Sequence, residues 1–426
     1  MILSMRSRFL LATGLLALAL TASGCSAATR ASAPAQPSAS APSADAHEHE
    51  HDEHEEEGHE DEGHQDAAAR QPRLAVTYDG GVMVVDGTDL KVLKDFTLAG
   101  ELGLHPSGDP RHPFVAVEGS TLKLVDLGSW SVAHGDHSDS KVAEPRLLDT
   151  ALKVQGLGHV SPNGDLTAIF DDGDGSIEVF ETQHLIDQGV EPVRTLNVPA
   201  HHGNAVPLPG GRLVHTTSTG AEVNGIKLLA SDGRVVAESS DCPGLHGSAV
   251  AKESLVLGCA DGVLLVKGDT ITKVKSGPAH AGPATLAGSS TSTWVLGDQR
   301  PSKDAPATKV VLLDTATAKL TTVDLPAPYA SGGLGFNESG QGVVLTTDGQ
   351  LHVIEADHGH VEASVKVVQP FEAAAAQRPR VHVQGHWAYV VEPATQKVHA
   401  VELSVGRVMN SADLPHAPLR VTGTLG

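Results

Sequence analysis

Between Asp45 and Asp66 the chain places six histidines, His47, His49, His51, His54, His59 and His64, among twelve acidic residues, with no Lys or Arg. Neutral imidazole is a donor for zinc, copper and nickel, and interleaved carboxylates add charge and oxygen ligands. A tract of this kind points to metal capture. It holds no large apolar side chain and cannot offset its ordering entropy, so a disordered arm is expected over residues 45–71. The plainer alternative, a solvated acidic spacer, has no use for so many imidazoles.

A second set of histidines recurs in the body of the chain. It comprises Gly158-His159, Ala200-His201-His202-Gly203-Asn204-Ala205, Leu245-His246-Gly247-Ser248-Ala249 and Ala279-His280-Ala281-Gly282. His202-Gly-Asn-Ala and His246-Gly-Ser-Ala are nearly a literal repeat. Three converging imidazoles plus a carboxylate or water would complete a tetrahedral zinc site. His159, His202 and His246 are the expected metal ligands, with His201 and His280 as substitutes. Asp165 and Asp241 are weaker acidic partners. Taken singly, each histidine also reads as a structural residue bonded to a neighbouring carbonyl. His112, His184, His215, His352, His382, His386, His399 and His416 read as strand or loop residues. His358-Gly359-His360 has the spacing of a surface chelate, a reading ranked below the histidines above.

The elements that must position these residues are short strands. From Arg73 onward, runs such as Arg73-Leu-Ala-Val-Thr-Tyr78, Ser176-Ile-Glu-Val-Phe180 and Trp387-Ala-Tyr-Val-Val391 alternate with Gly, Asp, Asn and Pro. Even spacing of many short strands predicts an all-β sandwich, barrel or propeller. An internal repeat favours the propeller. Leu166–Phe170, an Asp-Gly turn and Ser176–Phe180 match Val343–Thr347, Asp348-Gly349 and Leu351–Ile354, and also Val115-Ala-Val117, Glu118-Gly119 and Leu122–Val125. Boundaries fall near residues 99, 155, 199, 242, 276, 326 and 369, which predicts a single propeller over 72–426 with eight blades, seven being the alternative. The strand near Leu419-Arg-Val-Thr422 would complete the N-terminal blade and remove an exposed edge. The long segment from Gly119 to Gln155, with His134-Gly-Asp-His137, is expected to carry an insertion. In a propeller, the inner strands of successive blades line one channel, and so bring histidines distant in sequence within reach of one ion.

The N-terminus bears on compartment. Arg6 and Arg8 precede an apolar run from Phe9 to Leu20, too short for a comfortable membrane span, and then Ala22-Ser-Gly-Cys25. This is similar to a bacterial lipobox. Residues 1–24 are then a lipoprotein signal peptide, Cys25 is the lipidated N-terminus, and residues 25–44 are a flexible Ala/Ser/Pro tether. An ordinary secretory peptide cut near Ala22 is the alternative. Either way the chain is expected to be exported, lipid-anchored at the outer face of the cytoplasmic membrane or in the periplasm. An oxidising compartment permits a disulfide between Cys242 and Cys259, free thiols being the alternative.

The formal charge is −22, of which residues 45–66 carry −12, leaving −10 on an acidic body with no basic stripe. That excludes a nucleic-acid surface and favours cations. No nucleophile elbow or convincing nucleophile–base pair stands out. Aromatic residues are 3% of the chain, too few to favour a large stacked-cofactor pocket. The chain reads as a non-enzyme. A metal-dependent hydrolase on a propeller scaffold, or an interaction propeller with an acidic tail, are the competing classes.

The arm, together with His201-His-Gly-Asn-Ala-Val-Pro-Leu208 and Cys242-Pro-Gly-Leu-His-Gly-Ser-Ala249, resembles the bacterial zinc metallochaperones called AztD. The resemblance runs from about His47 to the end. It implies Zn2+ bound in the propeller, a mobile arm that also handles zinc, and transfer to the solute-binding protein of a zinc ABC transporter. It implies His202 and His246 as ligands from the two motifs, and His159 from its matching blade position. The lipid anchor is a departure, and would make the chaperone tethered.

Overall fold

A computed structural model describes residues 65–426, save 136, 188–190, 221, 278–281, 301 and 303–304. The expected signal segment, Cys25, the expected tether, the six arm histidines and His280 therefore lie outside the described residues. The architecture is an eight-bladed β-propeller. Blade 3 shows the pattern. Leu157–Asn163, Leu166–Asp171, Ser176–Glu181 and Arg194–Asn197 form an antiparallel sheet in sequence order, the first strand innermost. Blades 4 and 5 repeat it from Ala205–Leu208 and His246–Ala251. Blades 6 and 7 share the long strand Lys319–Phe336, whose first half pairs with Ala307–Asp314 and whose second half pairs with Gln341–Thr346. One continuous seven-stranded ladder thus serves two blades.

Blade 1 is closed by the two ends of the fold. Arg73–Tyr78 pairs with Arg420–Thr424, in register from Arg73↔Thr424 to Thr77↔Arg420. The C-terminal strand becomes the inner strand of the first blade, as its sequence led one to expect. The predicted insertion in blade 2 is a hairpin of Ser129–His134 and His137–Val142. Gln65–Ala67 adds to that hairpin, and Asp66 pairs with Lys141. The arm expected over 45–71 therefore has a paired end, because the hairpin offers an unfilled edge. The expected boundary near 369 falls earlier than the inner strand Arg380–Gln384, since Pro370 and Pro379 bracket a loop.

Packing follows from strand alternation. Leu74, Val76, Met83 and Val85 of blade 1 face Tyr389, Val391 and Val398 of blade 8. The alternate residues Ala75, Val82 and Val84 face Leu102, Val115 and Val125 of blade 2. Middle strands are thus buried on both faces, and each fully buried Val or Leu contributes about 1.5–3 kcal/mol. The fourth strands alternate half-buried and exposed, as in Val92–Thr97. Polar residues anchor blades too. The Tyr389 hydroxyl donates to Gly87 O at 3.0 Å. His352 bridges Thr346 and Ser364, and His399 bridges Glu392 and Ser411. A disulfide joins Cys242 to Cys259. Helix is confined to Thr182–Asp187 and a short 3-10 turn at Pro393–Thr395 among the described residues. None is long and apolar enough to cross a membrane.

Candidate metal centre

Because strands alternate in direction, the starts of the inner strands and the turns between second and third strands share one rim of the propeller. His159, His202 and His246 meet there, from blades 3, 4 and 5. Each offers a ring nitrogen within 4.8 Å of the others. Ring centroids are 4.9 Å apart for His159 and His202, 5.5 Å for His159 and His246, and 5.7 Å for His202 and His246.

Local irregularities aim these rings. The blade 3 ladder shifts register between Leu157 and Val160, so His159 sits in a β-bulge. The blade 5 ladder shifts between His246 and Ser248, with Gly247 left-handed at φ 71°. Bulges re-aim side chains next to functional sites. His202 lies in the turn just before the inner strand of blade 4. Glycines permit the close approach. A Cβ at Gly203 would fall 2.1 Å from the Phe170 ring, and one at Gly247 would fall 2.5 Å from Ala284 O. A Cβ at Gly158 would meet Asp172 Oδ1 at 2.1 Å.

The three rings share one hydrogen-bonding arrangement. His159 Nδ1 lies 2.9 Å from Gly203 O, and His246 Nδ1 lies 3.0 Å from Ala284 O. His202 Nδ1 lies 2.6 Å from Asp172 Oδ2. A carbonyl or carboxylate can only accept, so each Nδ1 carries a proton, and in the neutral ring the lone pair is on Nε2. This is how metal-ligating histidines are oriented and made more basic. Burial, chiefly, and the neighbouring imidazoles hold His159 below the ordinary imidazole pKa, which keeps it neutral. Tetrahedral zinc needs nitrogens ~3.3 Å apart, so the cluster closes on an ion by a modest contraction. His202 is about half exposed, at 55%, which leaves a fourth position open to water or an incoming ligand.

Two residues of this centre were not legible beforehand. Asp172, from the acidic turn of blade 3, accepts from His202 and also from Gly203 N–H at 2.9 Å. Asn204 takes a hydrogen bond from Ser161 at 2.6 Å and donates to Ser248 at 2.9 Å. Ser161, Asn204 and Ser248 each follow a cluster histidine by two residues, and their hydrogen bonds tie the three blades together. The His-x-Ser/Asn spacing in three blades was the available signal.

The remaining expectations separate cleanly. His201 spends both nitrogens, on Pro199 O at 2.7 Å and Thr216 Oγ1 at 2.9 Å, and packs edge-on against Phe170. It stands outside the cluster. Asp165 sits in the turn at the opposite end of blade 3, and the carbonyl of Asp241 accepts from Lys273. Neither completes the centre. A cavity of about 590 Å³ adjoins the cluster, lined in part by His159, His246 and His382.

No family model matches the chain. Fold and site together define a β-propeller with a rim cluster of three oriented imidazoles. The zinc chaperone AztD of Citrobacter koseri is 25% identical over 361 residues, covering 81% of this chain and 84% of that protein. Its crystal structure superposes with a TM-score of 0.74 at 23% identity, and the apo AztD structure with 0.72 at 22%, each over 84% of this chain and 98% of the other. The chain is AztD-like in sequence and fold.

Proposed function

We propose that the chain is an extracytoplasmic Zn2+-binding metallochaperone that passes its ion to the solute-binding protein of a zinc ABC transporter. The observation that carries the reading is the triad, with every Nδ1 committed to an acceptor and every Nε2 left free. Such a set suits zinc as cargo. Neutral nitrogen donors bind it without charge change, and three ligands leave a site for exchange. The similarity to a protein named a zinc chaperone supports the same reading.

Release would proceed by ligand substitution. An incoming imidazole or carboxylate takes the open position beside half-exposed His202, and the protein nitrogens leave one at a time. His202 and His246, both exposed, are the natural first to leave, since His159 is the more buried. The arm over residues 45–71 gathers ions through weak, exchanging sites and raises their local concentration. Lipidation at Cys25 would keep both on the membrane face beside the transporter.

The test is transfer kinetics. Zinc-loaded protein is mixed with the apo solute-binding protein or with a chelator of matched affinity. Transfer to the binding protein faster than loss to the chelator supports ligand exchange within a complex. Equal rates would reduce the chain to a passive buffer. Deleting residues 45–66 should slow loading while the rim cluster still holds its ion.

A further inference from the structure

A second set of donors lies outside this centre, on the turn between the third and fourth strands of blade 7. That turn joins Gln350–Glu355 to His360–Lys366 and contains Asp357, His358 and Gly359. By strand direction, it belongs to the rim opposite the triad. His358, His360 and Glu362 each offer a ligand atom within 4.8 Å of the others. Glu362 Oε1 is 3.2 Å from His358 Nδ1 and 3.0 Å from His360 Nε2. The imidazole centroids are 5.7 Å apart and nearly parallel, at 17°.

The backbone is shaped for this convergence. Gly359 is left-handed at φ 69°, and its N–H closes the turn on Glu355 O at 2.9 Å. Glycine adopts that conformation without the Cβ penalty. His360 opens the fourth strand opposite Glu355, and Ile354 pairs with Val361 while Val353 pairs with Ala363. Glu362 is therefore the extra residue of a β-bulge, a device that redirects a side chain. His358 and His360 approach from the turn, and Glu362 from the bulge. Asp357 adds a further carboxylate 3.9 Å from His358 Nε2.

We infer that His358, His360 and Glu362 form a second, exposed Zn2+ site, separate from the triad and holding its ion in rapid exchange. Two imidazoles and a carboxylate are a ligand set that zinc accepts. All three residues are exposed, so solvent completes the coordination and the ion is held more weakly than at the rim triad. A site on the opposite rim can take up zinc while the triad is loaded. This inference does not depend on transfer to a partner.

The experiment uses the full chain and Zn2+ alone. Histidines are carbethoxylated with diethylpyrocarbonate over a zinc series, and each histidine is followed by peptide mass spectrometry. His358 and His360 should lose reactivity together, at higher zinc than His202 and His246. Their protection should persist in the His202→Ala/His246→Ala variant. Glu362→Ala, an exposed change with no packing cost, should demand roughly tenfold more zinc for the same protection. Unchanged reactivity of His358 and His360 across the whole series, up to zinc far above that which fully protects His202 and His246, would overturn the inference. So would protection indifferent to Glu362→Ala. Loss of protection at His202 and His246 alone would instead count against the triad.

Discussion

Asp172 is the residue whose replacement tests the orientation of the triad most sharply. Its Oδ2 sits 2.6 Å from His202 Nδ1, on the far side of the ring from the free nitrogen. Adding a ring width of about 2.2 Å and a Zn–N bond of about 2.1 Å puts the carboxylate roughly 6–7 Å from a bound ion. At an effective dielectric of about 40–80, a single negative charge there stabilises Zn2+ by ~1.3–2.5 kcal/mol. His202 is 55% exposed, so the lower half of that range applies. Asp172→Asn retains an oxygen for Gly203 N–H and removes the charge. Zinc affinity should fall by about 1–2 kcal/mol, or roughly five- to thirtyfold. The assay is competition with a chromophoric chelator on residues 65–426, which retain every described strand and lack the six arm histidines. Far-ultraviolet circular dichroism should be unchanged. Identical affinities for Asp172→Asn and the parent would refute the arrangement in which His202 binds through Nε2 with Asp172 behind it.

Other expectations follow from the same geometry. His201→Ala removes two hydrogen bonds and a ring contact, and should cost ~1–3 kcal/mol in urea unfolding while leaving zinc affinity within about threefold; a large affinity loss would place His201 among the ligands. Reducing the Cys242–Cys259 disulfide, or replacing both cysteines by Ser, should cost ~3 kcal/mol for a closure of 17 residues and lower the unfolding midpoint; an unmoved midpoint would contradict it. Burial pushes His105 and His382 down to about 4, with nearby Arg420 adding to the shift at His105. Both stay neutral in the fold while the unfolded chain takes up protons from pH ~6.5 downward, so stability should fall between pH ~6.5 and ~4 by at most ~3 kcal/mol per histidine. His382→Gln should remove its share of that slope in zinc-free protein, and an unaltered pH profile would show that His382 titrates normally.

Much of the fold could be read from residues alone, because blade packing imposes local patterns. Middle strands buried on both faces appear as apolar runs, and the closing strand appears as an unpaired C-terminal segment of the same texture. The near-repeat of His202-Gly-Asn-Ala and His246-Gly-Ser-Ala pointed to equivalent positions on neighbouring blades around one channel, and the structure brings them together with His159 at the rim. What failed to show depends on contacts between blades. Asp172 belongs to the Asp171-Asp-Gly-Asp-Gly175 turn, where acids serve turn geometry, and only blade packing sets it against a histidine 30 residues away. His201 and His202 are adjacent and alike in composition, yet the turn sends one ring inward to Phe170 and the other to the rim. Bulges at His159, Gly247 and Glu362 leave no compositional trace, and the pairing of Gln65–Ala67 depends on an edge made by the insertion hairpin.

The most direct measurement is a competitive zinc titration of residues 65–426 beside the single variants His159→Ala, His202→Ala and His246→Ala. One ion bound tightly by the parent, with affinity lost in each variant and retained in His201→Ala, is the predicted result. A parent that binds no zinc, or a variant of the triad that binds it as well as the parent, would contradict the account.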